Sequence, residues 1–293
     1  MSEKKQNIKS ENNSYPWINP IGNQGNAIML SGVLKMVHDL DPSKKYNMVR
    51  RSDYQNIFKN HPAIAEIGHP NKEAQIIEVD FWFDGQLDSQ NSFQALAAQF
   101  GLSTPVEEKL YIPEDQKSVN KLLMESIPWK EKNIVISTSS NSPRKLINPG
   151  MWMQLVTMLK NENFFVVQVG GERDFYIKNT YSLLGLTNTR SLISVVEKAN
   201  VVITVDNLLV HVARLTQTPA VVIWGPTRAD KYGYKSQENI LGEIDHCQFK
   251  NECLGFNYAQ NYKKPCPLQR NEHCMNKINL QQIFNSVINQ FNY

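Results

Sequence analysis

The stretch VVITVDNLLVHVARLTQTPAVVIWGPT, from Val201 to Thr227, decides the fold class of this chain. It opens with an apolar run, Val201 to Val205, whose length and β-branching are typical of a buried parallel strand. A polar turn follows, then a helix that Asn207 is placed to cap, then a second apolar strand from Val221 to Trp224. This order predicts a βαβ unit within a parallel α/β sheet.

Three polar residues of this stretch form a candidate binding site. In an open α/β sheet, ligands bind beyond the carboxyl ends of the strands, where helix N-termini present free N–H groups. Asp206, Asn207 and His211 occupy such a position in the sequence. A helix cap with a packed histidine explains the same residues without a ligand, so both interpretations stay open on the pattern alone.

Working outward, strand and helix patterns alternate on both sides of a proline-containing, charged stretch between residues 112 and 132. At 293 residues the chain is long enough for two domains. We therefore predict two successive doubly wound domains that face a cleft. The expected divisions are a disordered tail over residues 1–14, a first domain over 15–125, a second domain over 126–278 and a terminal helix over 279–293.

Composition and charge narrow the class of protein. The chain is 41% hydrophobic and 20% charged, which is typical of a globular protein. Its formal net charge of +3 is too weak to indicate a nucleic-acid partner, and it is compatible with anionic small molecules or an anionic membrane surface. The polar N-terminal stretch lacks an apolar signal core, and no apolar run is long enough to span a bilayer, so we expect a cytoplasmic protein.

All four cysteines lie in one late segment with the spacing C-x5-C-x12-C-x7-C: Cys247, Cys253, Cys266 and Cys274. In a reducing compartment such a cluster indicates either a metal site or reduced thiols. The C-x2-C knuckle of common zinc sites is absent, and His246 and His273 are additional candidate ligands. Structural zinc or iron at this cluster, and thiols that stay reduced or pair within a loop, remain alternative hypotheses.

Several segments, in order, resemble glycosyltransferase family 9, the ADP-heptose:lipopolysaccharide heptosyltransferases. They are GNQGNAIMLSGVL at 22–34, FKNHPAIAEIG at 58–68, QALAAQFGL followed by KLYIP, PRKLINPGMW at 143–152, and VDNLLVHVA with WGPT. The resemblance implies a GT-B fold: two Rossmann-like domains around a cleft, with the terminal helix returning to the N-terminal domain. It also implies that the first domain binds the acceptor and the second binds the nucleotide sugar.

The resemblance further implies that a sugar is transferred with inversion and without a required metal. Lys145 matches the lysine that neutralises the donor phosphates, with solvated surface cations as the alternative interpretation of Arg144-Lys145. Such a transfer needs positive potential for the departing diphosphate. The expected donor-binding residues lie in the loops that follow strands or in the first turn of the next helix: Ser139, Ser140, Lys145, Glu172, Asp206, Asn207 and His211. Asp174 competes with Glu172 for contact with ribose hydroxyls.

Two positions depart from the family pattern. Asn26 stands at the position of the aspartate that is the family's proposed catalytic base, and its amide cannot take a proton at neutral pH. Leu208 stands where the signature has glycine. Asp80 and Asp84 are alternative bases. Asn26 otherwise positions the acceptor, or the protein binds without turnover. Arg50 and Arg51, at the end of a strand, are expected to grip an acceptor anion or are simply exposed charges.

The leading hypothesis is therefore an inverting glycosyltransferase that moves a sugar, heptose by family default, from a nucleotide donor to a lipopolysaccharide-core or other surface-glycan acceptor. Peripheral contact with the inner-membrane surface is an associated expectation. One alternative is a catalytically degenerate protein that binds nucleotide sugars, supported by Asn26 and Leu208. Another is a protein heptosyltransferase of the autotransporter type with a four-cysteine metal site.

Overall fold

A sheet of four parallel strands forms the centre of the first lobe, which comprises the described residues up to Ser126. The computed structural model describes residues 15–51, 54–80, 90–113, 121–254, 263–268 and 273–291. The strand order is β3-β2-β1-β4. The strands are β1 (Trp17–Ile21), β2 (Tyr46–Val49), β3 (Ile64–Gly68) and β4 (Ile76–Asp80). The expected tail over residues 1–14 lies outside the described residues.

The long helix α1 (Gln24–Leu40) covers this sheet and begins at the cleft. The side chain of Asn23 caps it by accepting a hydrogen bond from the backbone N–H of Asn26. Ile28, Leu30 and Leu34 on its inner face are fully buried, so packing rather than propensity holds it in place. The other helices of the lobe are α2 (Gln55–Phe58), α3 (Ser92–Gln99) and α4 (Lys121–Ser126).

The second lobe, from Asn133 onward, contains a sheet of six parallel strands in the order β10-β9-β8-β5-β6-β7. Read from its other edge, this is the strand order of a dinucleotide-binding sheet. Successive strands are added on one side of β5 as far as β7 and then on its other side from β8 onward, so the strand order reverses between β5 and β8. The strands are β5 (Asn133–Ser137), β6 (Phe165–Val169), β7 (Tyr181–Ser182), β8 (Val201–Val205), β9 (Ala220–Trp224) and β10 (Glu238–Leu241).

Helices lie on both faces of this second sheet, as the alternating pattern predicts. They are α5 (Pro149–Asn161), α6 (Thr189–Glu197), α7 (Leu208–Thr216), α8 (Ala229–Tyr232), α9 (Lys250–Leu254) and α10 (Leu280–Asn289), with 3-10 turns at Pro143–Lys145 and Cys274–Asn276. Every residue of β5, β8 and β9 is buried, which explains why these strands read as continuous apolar runs rather than alternating ones.

The two lobes share a continuous apolar core. Helix α1 packs directly against α7, so that Ile28 and Val210 belong to the same buried cluster. Polar contacts flank this core: Arg214 Nη2 donates to the carbonyl oxygen of Glu108 at 2.9 Å, and Arg190 donates to the carbonyl of Asn56. The lobes therefore hold each other in a defined orientation around the cleft.

The terminal helix corrects one expectation. We expected it to return to the first lobe, but α10 packs on α5 and β9 of the second lobe. Its buried residues Ile283 and Val287 join a cluster that includes Ile136 and Trp152. The apolar stripe of the helix predicts that one face is buried, but the second sheet offers the face that covers it. The predicted domain division at 125–126 lies within α4 and remains a prediction, because the change of sheet spans residues 81–132.

Among the helices of the described residues, none is both long enough and apolar enough to cross a bilayer.

Candidate functional site

A cleft of about 800 Å³ opens between the lobes at the carboxyl ends of both sheets. Gly22 follows β1, Ser139 follows β5 and Asp206 follows β8, so the cleft lies at the reversal point of each sheet, where ligands of open α/β folds bind. The volume is typical of a small-molecule site. The N-termini of α1, α6 and α7 border it, which adds backbone N–H groups suited to an anion.

Lys145 and Asp206 form a buried ion pair in the wall of the cleft. Lys145 stands on the 3-10 turn after β5, and its Nζ lies 2.5 Å from Oδ2 of Asp206. The Thr227 hydroxyl donates to the same oxygen at 2.6 Å. These contacts fix an ammonium group in the cleft wall beside the mouth of α7. The arrangement supplies a positioned positive charge, which is what a departing diphosphate requires.

The side chain of Asn207 is committed to the protein itself. Its Oδ1 accepts from the Leu209 backbone N–H at 2.8 Å and from the Thr204 hydroxyl at 2.9 Å. Its Nδ2 donates to Ser137 Oγ at 3.0 Å and to the Ser139 carbonyl at 2.7 Å. An amide has two donors and one acceptor oxygen, so these four bonds use its full capacity. Asn207 therefore joins the loop after β5 to the mouth of α7.

Both predicted serines line the cleft, and the hydroxyl of each donates a hydrogen bond to an aspartate, one to a carboxylate and one to a backbone carbonyl. The Ser139 hydroxyl donates to Oδ2 of Asp174, and the Ser140 hydroxyl donates to the carbonyl of Asp206 at 3.1 Å. Asp174 also accepts from the Gly171 backbone N–H at 2.7 Å. Asp174 thus lines the cleft, whereas Glu172 is exposed and outside the lining. Of the two acidic residues considered for this loop, Asp174 rather than Glu172 therefore lines the cleft.

His211 lies at the junction of the two lobes. Its Nδ1 is 2.8 Å from the hydroxyl of Tyr234, and the two rings meet edge to face. Burial lowers the pKa of His211 to about 4, while Asp206 opposes and Lys145 reinforces that shift. The ring is therefore neutral at physiological pH.

Gly25 permits the close approach of α1 to this histidine. A Cβ added at Gly25 would overlap Cδ2 of His211 and lie 2.9 Å from its Nε2. Because the imidazole ring is rigid and packed, a larger residue would have to move one lobe. The glycine of the first lobe and the histidine of the second thus define how closely the lobes meet.

Asn26 lies in the first turn of α1 and lines the cleft opposite the ion pair. Leu208, the second departure from the family pattern, also lines it. Asp80 ends β4 in register with Ile21, so the topology places it at the same sheet edge as Gly22. The alternative base Asp84 lies outside the described residues.

The two predicted acceptor-binding arginines lie outside the cleft lining. Arg51 Nη1 donates to the carbonyl of Pro20 at 2.9 Å, and its guanidinium stacks over the ring of Tyr54. Arg50 is exposed, and its Nη2 reaches the carbonyl of Ile67 at 3.4 Å. Both side chains contact the ends of strands in the first sheet, so the structure gives them a packing role.

The late cysteines lie away from the cleft. All four are free thiols, and Arg144 Nη1 donates to Sγ of Cys253 at 3.2 Å. Burial raises the pKa of Cys253, and it raises the pKa of Cys274 to about 12. The thiols of Cys247, Cys253 and Cys266 lie near that of Cys274 and also raise its pKa. Within the described ranges, no three His, Cys, Asp or Glu side chains are arranged to hold a metal ion.

Sequence reasoning missed several residues of the cleft. Thr227 holds Asp206, Tyr234 holds His211, and Asn188 caps α6 at the cleft edge. Asn188 precedes a helix with apolar periodicity, so its capping position was readable. The contact of Tyr234 with His211 spans β9 and α8, and no local pattern marks it.

Comparison with known proteins identifies the family. The sequence model for glycosyltransferase family 9 (heptosyltransferase) matches residues 83–255, which is more than half of the chain. The matched range contains the ion pair and His211, whereas Asn26 and the two arginines precede it. No curated protein matches the chain in sequence.

Solved structures share the fold at low sequence identity. A family 9 glycosyl transferase from Veillonella parvula has a TM-score of 0.70 and 14% identity, covering 95% of this chain and 97% of its own. The ADP-heptose lipopolysaccharide heptosyltransferase II of E. coli has a TM-score of 0.59 and 13% identity, covering 78% and 89%. The dodecameric iron-containing heptosyltransferase TibC, solved with ADP-D-β-D-heptose, has a TM-score of 0.69 and 16% identity, covering 95% and 76%. TibC from enterotoxigenic E. coli is also described as a glycosyltransferase.

The parallel sheets, the cleft at their reversal points and the matched sequence range all indicate the same family. The chain belongs to glycosyltransferase family 9, and it is a glycosyltransferase with the GT-B fold.

Proposed function

We propose that this protein transfers a sugar, heptose by the description of its family, from a nucleotide diphosphate donor to a hydroxyl of a saccharide acceptor. The observation that carries the proposal is the Lys145–Asp206 pair at the mouth of α7, on the reversal point of the second sheet. A fixed ammonium beside the positive end of the α7 dipole stabilises the negative charge that develops on a departing diphosphate.

The donor is proposed to be an ADP-sugar. TibC is described in complex with ADP-D-β-D-heptose, and this chain shares its fold. In this role Lys145 contacts the diphosphate, and the dipoles of α6 and α7 add positive potential at their N-termini. Asp174, rather than Glu172, would face the ribose from the loop after β6.

The acceptor is proposed to bind along the first lobe, against the mouth of α1. The acceptor hydroxyl must lose a proton when it attacks the sugar, so a base is needed on that side of the cleft. Asn26 cannot supply it. Asp80 ends β4 in register with Ile21, at the same sheet edge, and we propose it as the base.

Substitution of Asp80 tests this assignment. We expect Asp80→Asn to lower kcat by about a hundredfold or more with little change in the KM of the donor, since general-base catalysis contributes on that scale. Asp39→Asn, which removes an exposed carboxylate of α1 that pairs with Lys35, is the matched control and should leave kcat unchanged. Full activity of Asp80→Asn would remove Asp80 from the mechanism.

The second candidate function is a catalytically degenerate protein that binds nucleotide sugars, and the amide of Asn26 in the cleft favours it. The variant Asn26→Asp separates the two. A wild-type enzyme that turns over, with or without a gain in Asn26→Asp, supports the transferase. Donor binding without turnover by either form supports the binding protein.

The acceptor class is proposed to be a lipopolysaccharide core or another surface glycan. Transfer of radiolabelled heptose to purified core glycolipid tests it, with an unmodified autotransporter passenger protein as the competing acceptor. Label in the glycolipid alone supports the proposal, whereas label in the protein alone favours the autotransporter-type alternative.

A further inference from the structure

Tyr234 and His211 form a buried contact at the edge of the cleft. The Tyr234 hydroxyl is 2.8 Å from His211 Nδ1, and both side chains are buried. The segment that carries Tyr234 is tied to α7 through Gln237, whose Nε2 donates to the carbonyl of Val210 at 2.7 Å. The tyrosine therefore has a fixed position relative to the helix that carries the histidine.

The direction of the hydrogen bond between Tyr234 and His211 depends on where the Tyr234 hydroxyl hydrogen points. Burial raises the pKa of Tyr234 above its ordinary value, so the hydroxyl keeps its proton. Among the residues that the structure describes, Nδ1 of His211 is the partner of this hydroxyl. A buried O–H without an acceptor costs about 1–3 kcal/mol. The hydroxyl therefore donates to Nδ1, and a neutral ring whose Nδ1 accepts carries its proton on Nε2.

The protonated nitrogen faces the cleft. Nε2 lies beside Gly25, next to Asn26, and within the described residues no group of the protein bonds to it. His211 lines the cleft together with Lys145 and Asp206. Its Nε2–H is thus a donor aimed into the space between the mouth of α1 and the ion pair.

We infer that Tyr234 is a positioning residue that fixes His211 as the Nε2–H tautomer, so that His211 serves as a neutral hydrogen-bond donor to the ligand in the cleft. Two consequences follow. His211 contributes a directed hydrogen bond while Lys145 supplies the charge. Moreover, His211 cannot take the proton of the acceptor, because its cleft-facing nitrogen already carries one. Use of this donor on a diphosphate rests on the proposed function, whereas the tautomer does not.

The tautomer can be read directly by long-range ¹H–¹⁵N correlation spectra of the full chain with ¹⁵N-labelled histidine. The His211→Asn spectrum assigns the resonances. In the wild type we expect a protonated Nε2 and a bare Nδ1 at pH 7. In Tyr234→Phe, which keeps the ring contact and removes only the hydroxyl, we expect the Nδ1–H tautomer to be populated. Tyr181→Phe is the matched control, since it removes a hydroxyl bonded to Ser126 away from the cleft.

The inference has clear contrary outcomes. A wild-type His211 with its proton on Nδ1 overturns it, and so does a tautomer that is the same in wild type and Tyr234→Phe. In an assay with ADP-heptose, Tyr234→Phe should lower kcat/KM by about tenfold, the value of one hydrogen bond, while Tyr181→Phe should not. A protein that binds no nucleotide sugar yet shows the expected tautomers would contradict the proposed function and leave this inference intact.

Discussion

At the scale of the residue, the ion pair in the cleft wall has a structural as well as a chemical effect. Lys145 and Asp206 are only 9% and 14% exposed, so neither charge is well solvated without the other. Removing one partner of a buried pair leaves an uncompensated charge, which costs more than the pair contributes. The site is therefore stable only while both residues are present or both are neutral.

This predicts non-additive stability. Lys145→Met should lower the free energy of unfolding by about 3 kcal/mol, the low end expected for a partly screened buried pair. Adding Asp206→Asn should restore part of that loss, since the stranded carboxylate is gone. Urea unfolding of the single and double variants measures the coupling. Lys160→Met, on the exposed face of α5, is the control. Strictly additive losses would contradict a coupled pair.

Several site residues were predictable from sequence, for reasons of local chemistry. Asp206 follows an apolar run, so the strand end and the helix mouth could be located together. Ser139 follows β5 in the same way, whereas Lys145 was indicated by the resemblance to the family pattern. Arg50 and Arg51 also follow a strand, yet they contact Pro20, Tyr54 and Ile67 instead of the cleft. A strand end predicts the correct edge of a sheet, but the direction of a long side chain depends on tertiary neighbours.

At the scale of the element, the mouth of α7 depends on one amide. Asn207 caps the helix and also bonds to Ser137 and Ser139 on the neighbouring loop. We expect Asn207→Ala to lose the cap, worth about 1 kcal/mol, and to release the loop that faces the donor. The KM of the nucleotide sugar should rise several-fold.

The cap of α10 provides a matched control for this prediction. Asn279 caps that helix in the same way, accepting from Gln281, but lies away from the cleft. Asn279→Ala should lose a similar free energy of unfolding with no change in KM. If both variants changed KM equally, Asn207 would be a stability residue only.

The two strands Val201–Val205 and Ala220–Trp224 followed from the sequence to within one residue, whereas the packing partners of the elements did not. Runs such as Val201 to Val205 are buried on both faces, so their apolar character has no other explanation. The stripe of α10 is equally clear in sequence, but Ile283 and Val287 could cover either lobe. The partner is fixed by long-range packing against Trp152 and its neighbours, which no local pattern encodes.

At the scale of the whole molecule, the spacing of the lobes is set where Gly25 meets His211. Since an added Cβ would overlap the imidazole, Gly25→Ala should separate α1 from α7 and widen the cleft. We expect a larger radius of gyration by small-angle scattering and a drop of at least tenfold in kcat/KM. Gly150→Ala, in the first turn of α5, is the control, because its added Cβ meets the side-chain oxygen of Asn148 at 3.3 Å and its backbone is not in the left-handed region. Unchanged activity in Gly25→Ala would show that this contact does not set the cleft.

Two buried histidines predict how stability varies with pH. Burial is the largest cause that lowers the pKa of His61 and of His211 to about 4, from an ordinary value near 6.5. The unfolded chain therefore binds more protons than the folded chain between about pH 6.5 and 4. The free energy of unfolding should fall as the pH falls through that window and stay level from pH 7 to 8.

Urea unfolding at half-unit pH intervals measures this dependence. His61 bonds to the Ser31 carbonyl and the Ala63 backbone N–H, outside the cleft, and it is flanked by Lys35, His38 and Asp39. His61→Asn should reduce the slope between pH 6.5 and 4. Stability that rises on acidification in this range would contradict the neutral buried state of both rings.

Lys145 and the helix N-termini of the second lobe are proposed to bind the diphosphate of a nucleotide sugar. Calorimetric titration of ADP into the wild type and into Lys145→Met measures this binding. We expect one ADP per chain in the wild type and an affinity about tenfold to a hundredfold lower in a folded Lys145→Met, the value of a charge-assisted hydrogen bond. Equal affinity in the two proteins, or no binding of ADP or ADP-heptose by the wild type, would contradict the account.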